Sequence, residues 1–380
     1  MFDIFYKYFN KLKPQRLFFL DAVRAFAILM MLQGHFIDTL LDPVYKSHEY
    51  LAFTVWSYFR GITAPLFFTI TGIVFTYLAI KCEPEKQNER LLKGIQRGLL
   101  LIVIGYALRA QPFSWIKGYF NSYFWVVDVL QCIGVSLIFL VFLIKTTRKS
   151  IWLFAVLICS VTFVVFLTEP WYRTIEIPQL PLFLENYFSK SNGSVFTIIP
   201  WIGYVTFGAF IGQIILLFNR KVHFKRWFTF ILMTSGIVLI YFSSSILRFI
   251  ALQSGITLFE QVANYNYLFI RLGDVLIIFT IFYLLERYFK NSLIIDIGTK
   301  TLSIYVIHFI VLYGSFTGIG LKTFYNKSLS PFEAIISAII FLVVVSLIAI
   351  FRTRTNAFFY KYFKKIIAFV KEKVVTLLDS

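Results

Sequence analysis

The sequence predicts an all-α, polytopic membrane protein with about ten transmembrane helices and both termini in the cytoplasm (N-in/C-in). Three observations predict it. First, the 380 residues are 59% apolar and only 15% charged, with a mean hydropathy of +0.77. A soluble domain carries about 25% charged residues, and its surface leaves no room to hide so many apolar side chains. Second, apolar runs fill nearly the whole chain, so its length does not divide into separate domains. Third, the Lys and Arg that give a net charge of +18 stand in short clusters between those runs. Topology control produces such clusters. A nucleic-acid partner would need a continuous basic surface, so none is expected.

A basic, aromatic cytoplasmic segment occupies 1–16 and the membrane-embedded domain 17–351. The first span covers 17–40. It lacks a small-residue cleavage site and contains Asp21, Arg24 and His35, so it reads as a retained helix rather than a signal peptide. The second covers about 53–80, where Gly61 and Pro65 are expected to split an interfacial piece from a spanning piece. The third covers 94–111, the fourth 122–144, the fifth 151–168, the sixth 196–218 and the seventh 227–249. The eighth covers 265–285, the ninth 301–320 and the tenth 331–351. Each reaches across about 30 Å of hydrocarbon at about 1.5 Å per residue.

Most of the 37 Lys and Arg fall on one side: the first segment, the loops near 81–97, 145–149, 220–226 and 287–300, and the tail. The other side holds few, among them Lys46, Arg109 and Lys322. That bias sets both termini inside. The tail, 352–380, alternates Lys with apolar residues at helical spacing and is expected to lie on the inner leaflet, drawn by anionic lipid. The longest outer loop, about 169–195, is rich in Pro, Trp and Tyr. It reads either as an ordered cap over an outward-facing site or as a plain surface connection.

The three cysteines, Cys82, Cys132 and Cys159, show no metal or redox spacing, so neither a metal site nor a structural disulfide is expected. The chain has no Walker-type loop, no GxGxxG after a strand, no HExxH and no GxSxG. ATP-driven pumping, nicotinamide chemistry, zinc hydrolysis and an α/β-hydrolase site are therefore excluded.

Ionisable groups within the membrane are costly, and each needs a reason. Arg24 and His35 are eleven residues apart, about three turns, so they share a helix face about 16 Å apart. Asp21 lies one turn below Arg24 on the same stripe. One face of the first span thus joins a cation near the inner surface to an imidazole in the outer half. Other polar groups converge on the outer half: Asp128 on the fourth span, the i,i+3 pair Arg271 and Asp274 on the eighth, and Arg60 beside His35 and Asp38. A pairing of Arg60 with Asp128 would be structural. His308, in TLSIYVIHF, is expected in the inner half of the ninth span. Arg60, Arg271, Asp274 and His308 are the candidate substrate contacts.

The run RLFFLDAVRAFAILMMLQGHF resembles the first helix of the transmembrane acyltransferase superfamily, and Arg24-x10-His35 resembles the motif of its acyltransferase-3 branch. APLFFTITGIVF (64–75), VDVLQCIG (127–134), IIPWIGYVTFGAFIGQ (198–213) and GTKTLSIYVIHF (298–309) are similar to the heparan-α-glucosaminide N-acetyltransferase branch and its bacterial relatives. The resemblance implies a multi-pass protein of a bacterial inner or plasma membrane. It implies transfer of an acetyl or other acyl group from cytosolic acyl-CoA, usually acetyl-CoA, to a sugar hydroxyl or amine at the outer face. It also implies His35 as the reactive imidazole and Arg24 on the CoA side. Such relatives often pair, so a homodimer is one expected state. The chain departs from many relatives at Arg24-Ala25 and Thr71-Gly72, which bears on the acceptor class rather than the fold.

The chemistry suits these residues. Acyl transfer from a thioester needs a general base or a transient nucleophile, and imidazole serves as either at neutral pH. The CoA phosphates need cations at the inner face, for which Arg24 and the loop to Arg97 are candidates; Arg97 also fits the positive-inside role. A carboxylate, Asp128 or Asp38, is expected to orient the imidazole. Two other classes remain open: a transporter or channel using the same polar residues as a solute or proton path, and a non-catalytic scaffold.

Overall fold

In the computed structural model, residues 17–82, 84–147, 150–219 and 221–351 are described. The segment 1–16 and the tail 352–380, for which cytoplasmic and inner-leaflet placements are expected, lie outside them. Within the described residues the chain is helical, apart from one isolated parallel bridge between Leu41 and Leu329. In order, the principal helices are α1 (Phe18–Leu40), α2 (Leu51–Arg60), α3 (Thr63–Lys81), α4 (Pro84–Arg109), α5 (Val129–Thr146), α6 (Ile151–Leu167) and α7 (Ile198–Phe218). There follow α8 (Phe224–Tyr241), α9 (Ser243–Ser254), α10 (Thr257–Asn264), α11 (Tyr267–Leu284), α12 (Ser292–Thr299), α13 (Thr301–Tyr313) and α14 (Pro331–Phe351).

Among the described residues, eight helices are long and apolar enough to cross a membrane, with α2 and α3 together forming one of them. The bent pair α12 and α13 and the 17-residue α6 account for the other two apolar runs of the sequence. Large side chains such as Trp152, Leu252 and Phe351 stand exposed on the helix flanks, as a surface turned to lipid requires. The chain is an integral, multi-pass membrane protein.

Three spans differ from expectation for local physical reasons. The third begins ten residues early, at Pro84, because Pro suits a first helical turn and the polar PEKQNER stretch continues the helix beyond its apolar part. The seventh stops at Tyr241, where three consecutive serines begin. There the Ser243 hydroxyl bonds back to the Leu239 carbonyl and accepts from Asn266 Nδ2, and a new helix starts. The ninth is a pair of helices meeting at 69° rather than one helix over 301–320. Gly298, in α12, lies against the Asp21 carbonyl, where a Cβ would stand 2.0 Å from oxygen. This crossing therefore begins with α12, at the Asp21 end of α1.

Lipid tails are as apolar as side chains, so burial alone does not drive these helices together. Small residues let the backbones approach instead. Gly72 on α3 and Gly208 and Gly212 on α7 interlock; a Cβ on Gly208 would meet the Thr69 carbonyl oxygen at 2.0 Å, and one on Gly72 that of Val205 at 1.9 Å. Gly98 of α4 and Gly134 of α5 face each other's carbonyls, as do Gly236 of α8 and Gly273 of α11.

Helix α1 is the axis of the bundle, packed by α3, α11, α12, α13 and α14. Its C-terminal carbonyls, which have no helical partner, are taken up by the strap before α14. Lys327 N–H donates to the Thr39 carbonyl at 3.2 Å, and the Ser328 and Leu329 N–H groups donate to Leu40 at 3.0 and 2.9 Å. Lys46 Nζ donates to the Asp38 carbonyl at 2.7 Å. The end of the helix that carries His35 is thereby fixed on two sides.

A methyl group added at the glycine seam should force α3 and α7 apart. Gly208→Ala is expected to destabilise the protein by about 1–3 kcal/mol, read as a lowered melting temperature in detergent, whereas Val343→Ala on a lipid-facing flank is expected to change little. An unchanged melting temperature for Gly208→Ala would contradict the close approach.

Candidate active site

The polar groups of α1 form two stations on one side of the helix. At one end Arg24 Nη1 lies 3.7 Å from Asp21 Oδ1, with Asp21 buried beneath Gly298. Eleven residues along, about 16 Å at the helical rise, the half-buried His35 ring meets two side chains from α13, Tyr313 and His308. Its Nδ1 is 3.0 Å from the Tyr313 hydroxyl, its centroid is 5.3 Å from the His308 ring, and Tyr305 stands edge-on to His308 at 4.9 Å. Thr39 Oγ1, one helical turn beyond His35, donates to the Tyr313 oxygen at 3.3 Å. The two histidines share a level, so His308 lies in the same half of the bundle as His35 rather than in the opposite half, as expected.

His308 is fully buried, and neither ring nitrogen closes a hydrogen bond among the described residues, although the ring leans toward the carbonyls of Ile304 and Tyr305. Tyr313 ends α13 because Gly314 follows at φ +70°, in the left-handed region; a side chain there would also strike Ile319 and Gly320. That turn sends the chain back past the site, so that Tyr313 and Ser315 line one cavity.

Arg60 Nη2 pairs with Asp38 at 2.9 Å and its guanidinium lies 5.5 Å from the Trp56 ring, while Trp56 Nε1 donates to Gln33 at 2.6 Å. Arg60 therefore joins α2 to α1 beside His35, where it was expected, with Asp38 rather than Asp128 as partner. Asp128 is the N-cap of α5. Its Oδ1 accepts from Val129 N–H at 2.8 Å, its own N–H donates to Gln131 at 3.2 Å, and its Oδ2 accepts from Arg109 at 2.8 Å. Of the two carboxylates expected to orient the imidazole, Asp128 bonds a helix end and Arg109 and Asp38 pairs with Arg60, and the group hydrogen-bonded to His35 is a phenol.

Arg271 and Asp274 pair at 3.0 Å as their spacing predicts, but with Tyr58, whose hydroxyl donates to Asp274 at 2.7 Å and whose ring lies 4.3 Å from the guanidinium. This second cluster holds α2 to α11 at Gly61, next to Arg60. Arg97 is exposed on α4.

Sequence reasoning missed Tyr313, Thr39 and Arg109. Thr39 lies four residues past His35, one turn on the same face, and helical spacing could have found it; Tyr313, five residues past His308, is about 140° round the helix, and spacing does not mark it. Arg109 ends its helix and reads as an outer-loop cation; only the fold shows it buried against Asp128, with the Tyr123 ring 4.3 Å from its guanidinium. Beside it opens a cavity of about 260 Å³, lined by Arg109, Gln111, Tyr123, Tyr313, Ser315 and Lys322, with apolar residues between them. Tyr313 thus borders both His35 and the cavity. The loop 169–195 is ordered at its docking points: Asn186 Nδ2 donates to the Trp125 carbonyl at 2.9 Å, and Ser194 Oγ accepts from Val127 N–H at 3.0 Å. It braces the segment that delivers Asp128.

The sequence matches a family profile described as heparan-α-glucosaminide N-acetyltransferase, catalytic, over residues 16–244. That stretch holds Arg24, His35, Arg60, Arg109 and Asp128, and ends before His308 and Tyr313. No curated protein matches the chain.

Removing one partner of the Arg109–Asp128 pair leaves a buried charge uncompensated. Arg109→Met is expected to cost about 3–5 kcal/mol, measured by denaturation in detergent, and adding Asp128→Asn should recover part of the loss. Equal stability of Arg109→Met and the wild type would show that the pair does not anchor α4 to α5.

Proposed function

The chain belongs to the heparan-α-glucosaminide N-acetyltransferase catalytic family, and on that premise we propose that it moves an acetyl group from cytosolic acyl-CoA to a sugar amine or hydroxyl at the outer face. The observation that carries the reading is the placement of His35: an imidazole held by a phenol that itself lines a cavity, on the face of the first helix that also carries Arg24, inside the matched stretch. Both termini are cytoplasmic in this reading, as the charge bias argues. That face then runs from the donor side, at Arg24, to the acceptor side, at His35.

Arg24, with Arg97 and its neighbouring cations nearer the inner surface, attracts the CoA phosphates. The acceptor enters from the cavity beside Tyr313. The Tyr313 oxygen accepts from Thr39 and can also accept from the imidazole Nδ1–H, which leaves a lone pair on Nε2. Nε2 takes the proton of the acceptor amine or hydroxyl as its nitrogen or oxygen attacks the acyl carbon. The new bond joins acceptor to acyl carbon, the C–S bond breaks, and the proton passes from the imidazolium to the thiolate, which leaves as CoA thiol. Asp128 acts at one remove, by holding Arg109 at the cavity wall. Arg60 and His308 flank the imidazole, Arg60 through its pair with Asp38 and His308 by ring contact. The Arg271–Asp274 pair frames the site from α11.

Purified protein in detergent should consume acetyl-CoA when an amino sugar is supplied. His35→Asn should lower kcat by about a thousandfold or more while the protein still binds CoA. Tyr313→Phe should lower kcat about tenfold with little change in KM for the donor, the signature of a positioning residue. Normal turnover in His35→Asn would exclude the proposed role of the imidazole, and an equal rise in both KM values without a fall in kcat would remove Tyr313 from it.

A further inference from the structure

The transfer chemistry leaves one buried imidazole without a task. His308 is 0% exposed, and neither Nδ1 nor Nε2 closes a hydrogen bond among the described residues. Its contacts among them are rings: His35 at 5.3 Å from α1, and Tyr305 at 4.9 Å, Phe309 at 5.2 Å and Tyr313 at 6.5 Å from its own helix. Protein interiors leave few polar side-chain atoms unpaired, and each one needs a reason.

Those neighbours fix the form of the ring. No carboxylate pairs with His308 among the described residues. A cationic imidazole sealed in a packed interior without a counter-ion is costly, so the ring is neutral. A neutral imidazole carries one N–H and one lone pair. The N–H leans on the carbonyls of Ile304 and Tyr305, one helical turn back. A carbonyl cannot serve the lone pair, which needs a donor and has none. For stability alone a phenylalanine would suit the position better, since an apolar ring of like shape leaves nothing unpaired. What the nitrogen has beside it is His35. Near that ring Asp38 is taken by Arg60 at 2.9 Å and Asp128 by Arg109 at 2.8 Å. When His35 takes the acceptor's proton it becomes a cation with neither carboxylate free to face it. Besides the Tyr313 oxygen, the lone pair of His308 is the negative pole at ring-contact distance.

We propose that His308 is a positioning residue for His35: a neutral imidazole whose ring sets the plane of the His35 ring and whose lone pair stabilises the imidazolium formed during transfer. The assignment deepens the acetyl-transfer reading and rests on it. The proton stays on His35 until the leaving sulfur takes it, and His308 neither gains nor loses one. The unpaired nitrogen destabilises the resting protein and is matched when positive charge develops beside it, as in a preorganised electrostatic site.

The test compares His308→Phe and His308→Gln with the wild-type full chain in detergent, by melting temperature and by kcat and KM with acetyl-CoA and an amino sugar. His308→Phe keeps the ring contacts and removes the nitrogens. Its melting temperature should equal or exceed that of the wild type, while kcat falls about tenfold or more at an unchanged donor KM. His308→Gln restores a side-chain acceptor oxygen and should retain more of kcat than His308→Phe. If the phenyl ring is too large for the space and that protein does not fold, His308→Leu takes its place with the same expectations. Full turnover without the nitrogens would overturn the assignment, because a plain apolar wall would then suffice. A folded His308→Phe that melts well below the wild type would overturn it too, by showing that the nitrogens hold the fold together, as would a His308→Gln no faster than His308→Phe. His35→Asn separates the two readings. Normal turnover there defeats the transfer chemistry itself, whereas turnover that needs His35 and runs at full rate in His308→Phe defeats only the role given to His308.

Discussion

In hydrocarbon a charge has no solvent to fall back on, so every ionisable side chain carried into the bundle must meet its partner within the protein. The site is organised by that constraint. Arg24 meets Asp21, Arg60 meets Asp38, Arg109 meets Asp128 and Arg271 meets Asp274, each pair at 2.8–3.7 Å. Three of these couples hold one structural element to another or fix a helix end. His35 alone on α1 is paired with a neutral group, the Tyr313 phenol. Among the described ionisable residues of the first span it is the one whose chemistry is left uncommitted to an ion pair.

The same constraint explains why the two halves of the chain meet where they do. The motif on α1 needs the helix α13 to supply Tyr313, His308 and Tyr305, and α13 is broken from α12 by 69°. The break lets Gly298 lie against the base of α1 while the phenol closes on its other end. Glycine contacts elsewhere serve the same purpose of close backbone approach, since apolar burial gives helices no preference for one another over lipid. What fixes the imidazole is therefore packing at a distance: the strap at 327–329 on the C-terminal carbonyls of α1, and the Gly314 turn that ends α13.

The helical, multi-span character was legible because apolar runs and clustered cations are one-dimensional signals. So was the stripe of Asp21, Arg24 and His35, because helical spacing alone sets it. The i,i+3 pair of Arg271 and Asp274 was legible for the same reason. The partners across helices were not. Arg60 was a plausible match for Asp128 until the fold brought Asp38 to 2.9 Å and gave Asp128 to Arg109. The helix break at Phe242 was hidden because an apolar window averages over a serine run, and α12 was hidden because its eight residues are too short to read as part of a span. Tyr313 was hidden because one more aromatic in a chain with 22 Tyr and 46 Phe carries no signal of its own.

The central claim is that the thioester is opened beside His35, at the far end of a column that begins at Arg24. A structure of the protein with CoA bound tests it most directly. The account predicts CoA phosphates at the Arg24 end, the pantetheine arm running along α1, and the sulfur within about 5 Å of the His35 ring, the reach of a near-attack arrangement with an acceptor between. A CoA molecule whose sulfur lies on another face of the bundle, or stops short of that ring, would contradict it.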